Sequence, residues 1–407
     1  MISRLLRLSV QGVDLYEDSK FSLDLFATDR VINPDGSTNP GSVHRVLKRG
    51  SIYSQNVLGI AGINASGKTT TLKLLMMALS LLGGSAAFRH YTGAGLTPVG
   101  RVGDKLTFTT VFARENSIYL LKTHFVASPS GESNLSSNGL SSGYSIADET
   151  LWRYEGKRIN RAVLANTEQL IASSRVLYRR NGADNDSTVI PSSQRAILDP
   201  DRSIAALLEG DRFEVQAPLR LLPEETLPDG VVQAFDGNIE YLRWDPESEV
   251  FLLKFKDGGP RYVSRNVATQ ILSTGTVLGS EMVVRAIDVL RAGGYLLVDE
   301  IEQSLNKSLV SAIIGLFASP RTNPHGAQLV FTTHYTQILD SLRRNDNIYL
   351  FVRGDDYKTR ALKLSEQFSR DDFKKSDVIM SNAIRGANPK YEDVKRLNDY
   401  VASRVAE

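Results

Sequence analysis

The chain has 407 residues, of which 42% are hydrophobic and 23% charged, with a formal net charge of +2 and no cysteine. This length accommodates two or three domains and a sizeable core. The near-balanced charge excludes a whole-chain field toward nucleic acid or membrane, and the missing thiols exclude disulfides and Cys-ligated zinc or iron–sulfur centres.

The first residues, Met1 to Leu8, contain no apolar signal-peptide run. Arg4–Gln11 and Phe21–Ala27 alternate apolar and polar residues, the period of half-buried strands. Thr28–Val43, rich in Asn, Pro, Gly and Ser, reads as a loop. Val57–Ala61 is a short apolar run suited to a buried strand. Lys68–Leu82 follows as a helix that Gly83-Gly84 ends. The longest apolar stretch, Leu72–Leu82, is interrupted by Lys73 and Ser80 and is too short to span a bilayer. A soluble, cytoplasmic chain without membrane contact is therefore expected.

Lys105–Ala113 and Ile118–Ala127 read as a hairpin, followed by a Ser/Gly-rich mobile tip over Ser128–Ser145. Ile159–Arg180 and Ser203–Gly210 have helical character. Glu249–Lys256 and Arg261–Ser264 flank Asp257-Gly258-Gly259 as a second hairpin. Helical spacing over Ser280–Ala292 precedes an apolar strand, Tyr295–Val298. A helix over Leu305–Phe317, a strand over Ala327–Thr332, a short helix over Thr336–Leu342 and a strand over Asn347–Val352 complete the pattern.

Four motifs carry chemistry. Gly62-Ile63-Asn64-Ala65-Ser66-Gly67-Lys68-Thr69 matches the G-x-x-x-x-G-K-[ST] pattern. It stands between a buried strand and a helix, where backbone N–H groups and the helix N-terminus favour phosphate. Asn64, Ala65, Ser66, Gly67, Lys68, Thr69 and Thr70 form the candidate cradle. Lys68 is aimed at the β- and γ-phosphates, and the Thr69 hydroxyl at Mg²⁺.

Gly294–Val298 delivers Asp299 and Glu300 at a strand's C-terminal end, where ligands bind in α/β sheets. Asp299 is the second candidate metal ligand, and Glu300 the group that polarises the attacking water. Leu272-Ser273-Thr274-Gly275-Thr276 precedes a helix, so Ser273 and Gly275 could hold a phosphate; alone, the same residues read as a plain N-cap turn. Thr332-Thr333-His334 places a histidine at a strand end, where it can donate to a γ-phosphate. Singly, the last three are also ordinary structural features. Their order after the phosphate loop joins them.

Taken together, these residues resemble the ABC-ATPase family. The resemblance makes Lys68 part of the Walker A motif, Ser273–Gly275 the signature, Asp299-Glu300 Walker B and His334 the switch. It implies an α/β fold: a P-loop NTPase of ABC-ATPase type with a mixed β/α insertion. It also implies ATP and Mg²⁺ as cofactors. Two heads would dimerise head to tail, each signature closing over the ATP of the other, with Ser304-Leu305-Asn306 as the D-loop at the interface.

The match is similar to the stand-alone ABC-type AAA ATPases of bacterial anti-phage systems, including AbiL/RloA-like proteins, the PARIS and Septu subunits and the N-terminal part of OLD nucleases. Gly62–Thr70, Leu272–Thr276, Asp299–Glu302, Thr332–Leu339 and a tail near Leu342–Arg344 and Ile384–Pro389 carry it. The expected layout is a first ATPase segment over 1–95, an insertion over 96–268, a second ATPase segment over 269–355 and a tail over 356–407.

The signature reads LSTGT where transporter ATPases have LSGGQ, and the Q-loop glutamine stays open between Gln169 and Gln194. Too few residues follow His334 for a Toprim-like nuclease, so an effector, nuclease or toxin, is expected as a separate chain. The alternative is a DNA-repair or chromosome-maintenance head of the SMC/RecF kind. Nucleic acid stays open as a partner, with Arg175, Arg179 and Arg180 as one basic cluster and Arg45, Lys48 and Arg49 as another.

Overall fold

The computed structural model describes residues 3–31, 42–83, 102–127, 144–182, 186–191, 198, 202–208, 213–217, 222–354, 356–368, 374–381, 384, 386 and 391–405. Among them no helix is long and apolar enough to cross a membrane.

The strands are β1 (Arg4–Val13), β2 (Lys20–Asp24), β3 (Val43–Arg45), β4 (Tyr53–Gln55), β5 (Val57–Gly62), β6 (Val102–Arg114), β7 (Ser117–Ala127), β8 (Tyr144–Tyr154) and β9 (Ser174–Arg179). They continue as β10 (Val215–Gln216), β11 (Ile239–Asp245), β12 (Val250–Phe255), β13 (Arg261–Val263), β14 (Tyr295–Val298), β15 (Gln328–Thr333), β16 (Ile348–Arg353) and β17 (Thr359–Lys363).

One six-stranded sheet is antiparallel, in the order β2-β1-β6-β7-β8-β9. Glu115 and Asn116 both take positive φ between β6 and β7, the conformation a two-residue hairpin turn requires. The second sheet runs β10-β14-β15-β5-β16-β17 and is parallel except for its last pair. A small sheet joins β11, β12 and β13, and β3 pairs with β4.

The helix Lys68–Gly83 lies between the two large sheets. Leu72, Leu74, Leu75, Met77, Ala78, Leu79, Leu81 and Leu82 are all buried, so the helix is apolar on nearly every side. Leu5, Leu8 and Phe108 from the antiparallel sheet and Leu58, Ile60 and Phe351 from the parallel one share this core. A second core, with Met282, Ala286, Val310 and Ile314, covers the opposite face of the parallel sheet under the helices Thr274–Ala292 and Lys307–Ala318. A third packs the small sheet on Val277 and Val284 of the helix Thr274–Ala292.

Residues 96–268 thus supply β6–β9 to the sheet that β1 and β2 begin, β10 to the parallel sheet, and all of the small sheet. Two sequence expectations are revised. Ser174–Arg179 is a strand rather than helical, because its Val-Leu-Tyr run pairs with β8. The helix expected at Ser280 begins at Thr274, capped by Ser273. Gly275, Gly279 and the β-branched residues between them hide the start from propensity, while the cap and packing fix it. Of the tip expected over Ser128–Ser145, residues 128–143 lie outside the described residues, and Tyr144 and Ser145 instead begin β8.

Candidate functional site

β5, β14, β15 and β16 are parallel, so their C-terminal ends share one edge of the sheet. β15 sits between β14 and β5, which brings the strand carrying His334 and the strand carrying Asp299 to one side of the phosphate loop. The loop turns sharply. Gly67 takes φ +91°, and a Cβ at Gly62 would lie 2.5 Å from the Phe351 carbonyl oxygen. Ala65 also holds a left-handed φ of 58°, a strained position for a side chain.

The Lys68 ammonium donates to the carbonyls of Gly62 (2.7 Å) and Ile63 (3.0 Å) and meets His334 Nδ1 at 3.3 Å. Burial lowers its pKa to about 8, against the pull of Asp299, Glu300 and Glu302, so it stays largely charged at neutral pH. With Lys68 as donor, His334 Nδ1 accepts, and Nε2–H faces Glu300 Oε1 at 3.2 Å. Lys68, His334 and Glu300 therefore form one continuous hydrogen-bonded chain. Glu300 holds a left-handed φ of 51°, strain of the kind that collects at functional sites.

Thr69 Oγ1 donates to Asp299 Oδ2 at 2.7 Å across 230 residues of sequence. The two candidate metal ligands are therefore adjacent. A hydroxyl and a carboxylate beside a phosphate site suit Mg²⁺, which takes few protein ligands and keeps substrate oxygens and waters. The Ser66 hydroxyl is buried without a hydrogen-bond partner among the described residues, as fits a loop built around a further acceptor.

Two residues gain roles that sequence did not assign. Thr332 Oγ1 donates to Asp299 Oδ1 (2.6 Å) and accepts from the Glu300 amide (2.8 Å), so one buried hydroxyl orients both acids. Glu302 Oε1 accepts from the His334 amide at 2.7 Å and fixes the backbone where His334 leaves β15. Both lay within stretches that the motif order singled out, but a through-space contact leaves no local pattern. Replacing Thr332 by Val keeps the shape and removes the hydroxyl. It should cost about 1–3 kcal/mol of stability, read as a shift in denaturant midpoint, and slow turnover by at least about ten-fold. Unchanged turnover would show that Asp299 and Glu300 orient themselves.

Ser273 is exposed and caps its helix through the Thr276 amide at 3.1 Å. A Cβ on Gly275 would come within 2.5 Å of the Ser304 carbonyl oxygen, so these two segments of one chain are in contact. Asn306 caps the helix Lys307–Ala318. Gln169 is exposed on a short helix beside β8 and β9, and Gln194 lies outside the described residues. One basic cluster is broken. Arg180 turns inward to the fully buried Glu149 at 3.0 Å, because a buried carboxylate needs a counter-charge. Arg179 lies 4.0 Å from Asp186.

The strand–loop–helix cradle, with an acid pair ending a parallel strand one place beyond its neighbour, defines a P-loop NTPase. Residues 101–340 match the family described as "AAA domain, putative AbiEii toxin, Type IV TA system". That is 240 of the 407 residues, and the chain belongs to this family. The match includes Asp299, Glu300, Glu302 and His334, whereas Gly62–Thr69 precedes it. No curated protein matches the chain.

Proposed function

We propose that the chain is a cytoplasmic ABC-type ATPase that binds ATP with Mg²⁺, hydrolyses it between two copies of itself, and uses that cycle to hold or release a separate effector, a nuclease or toxin, in anti-phage defence. The observation that carries the reading is the convergence of three distant segments: Thr69 on Asp299, and Lys68 through His334 to Glu300. The family's link to toxin–antitoxin systems supports the defence role.

In this reading the loop amides and Lys68 hold the phosphates. Thr69 and Asp299 hold Mg²⁺, which would neutralise charge on the β- and γ-oxygens. Glu300 orients the attacking water, and His334 donates to the γ-phosphate. Ser273 and Gly275 serve the nucleotide of the partner, as the first turn of a nineteen-residue helix can.

The composite site is tested by Ser273→Arg. This variant should bind ATP nearly as the wild type does and lose hydrolysis by about 10²-fold or more. Co-expressed with Lys68→Ala chains under two tags, it should regain activity in the mixed dimer, where one site combines an intact Walker A with an intact signature. Full activity of Ser273→Arg alone would reduce Leu272–Thr276 to a helix cap.

A further inference from the structure

We infer that the turn joining β16 to β17 is the nucleobase platform of the nucleotide site, with the Tyr357 ring stacking on a purine. This rests on the nucleotide reading above. Lys68 meets His334, and Thr69 meets Asp299, so the γ-phosphate end of a bound nucleotide lies on the β15 and β14 side of the loop. The nucleoside end must then run the opposite way along the sheet edge. β16 is the next strand on that side, parallel to β5, with Phe351 in register with Gly62. Its C-terminal end, Arg353, and the turn beyond it therefore rise on the ligand edge beside the loop.

The turn is also tied to the cradle. Thr359 donates its amide to the Leu15 carbonyl at 2.9 Å, and Lys358 Nζ donates to the Asp14 carbonyl. Leu15 in turn packs against the cradle, within 2.6 Å of where a Cβ on Gly67 would stand.

Tyr357 is 70% exposed at this place. It holds a left-handed φ of 62°, an outlier for an aromatic residue and a reason to look for function. The Arg353 guanidinium lies 5.8 Å from the ring centroid, and its Nε donates to the Tyr357 carbonyl at 3.3 Å. Arg353 thus steadies the ring from one direction and leaves an aromatic surface for a flat partner. Tyr335, 61% exposed, follows His334 on the γ-phosphate side of the loop, and Tyr16, also close to the loop, cannot serve. It is fully buried, stacked on Phe21 and bonded to Thr71 at 2.7 Å.

The test measures ATP binding to the full chain with Mg²⁺ by calorimetry, and base contact by fluorescence. Stacking on an aromatic side chain is worth enough that Tyr357→Ala should weaken ATP binding about ten-fold, while Tyr357→Phe should stay near wild type. In the Tyr357→Trp variant the new indole should be quenched by saturating ATP. Wild-type affinity in Tyr357→Ala, or an indole signal indifferent to saturating ATP, overturns the platform. Those outcomes are distinct from failure of the nucleotide reading itself, in which the wild type would bind no ATP or Lys68→Ala would bind it as tightly.

Discussion

Lys68→Ala should abolish ATP binding at concentrations that saturate the wild type, with turnover lower by about 10²-fold or more. Lys68 is 5% exposed, and its ammonium is held along the loop by the Gly62 and Ile63 carbonyls and by His334. Burial lowers its pKa, and phosphate oxygens beside the ammonium would oppose that penalty and favour the charged form further. Alanine removes the charge and leaves the loop carbonyls without their donor. Nucleotide titration by calorimetry, with the thermal unfolding of the variant as a folding control, gives the answer. A folded variant with wild-type affinity would remove the Walker A assignment of Gly62–Thr69.

Glu300→Gln should separate binding from hydrolysis. The amide keeps an oxygen that can accept from His334 Nε2, so the chain from Lys68 through His334 survives. The backbone of residue 300 stays anchored by Thr332, and Asp299 keeps its contact with Thr69. What is lost is the carboxylate that orients and polarises water, and hydrolysis should fall by about 10³-fold with ATP affinity retained. In the head-to-tail reading, ATP-bound dimers then accumulate, seen by light scattering as a doubled mass. Turnover within a few-fold of wild type would take the catalytic role from Glu300. Mass unchanged by ATP alongside lost hydrolysis would count against ATP-driven dimerisation.

Much of the site was legible in sequence because its parts are local. A phosphate loop is contiguous, with glycines where backbone must turn and a helix directly after. Asp299-Glu300 ends an unbroken apolar run, which marks the ligand edge of a parallel sheet. The roles of Thr332 and Glu302 were not legible. Each depends on one oxygen reaching a group more than thirty residues away, and Thr and Glu at a strand end or turn are ordinary residues there. Arg180 shows the converse. Beside Arg175 and Arg179 it reads as surface charge, yet β8 brings Glu149 into the interior and the guanidinium follows to neutralise it.

The sequence by itself determined the phosphate loop, the acidic strand end and the histidine that follows β15. Tertiary structure alone decided that β15 stands between β5 and β14, that β6 to β9 extend the sheet begun by β1 and β2, and that the apolar helix Lys68–Gly83 is enclosed between two sheets. Strand pairing is settled by hydrogen bonds and buried faces between segments far apart in the chain, and period-2 alternation gives each strand a face without naming its neighbour. The contact of Lys68 with His334, 266 residues on, exists because that pairing places two strand ends side by side.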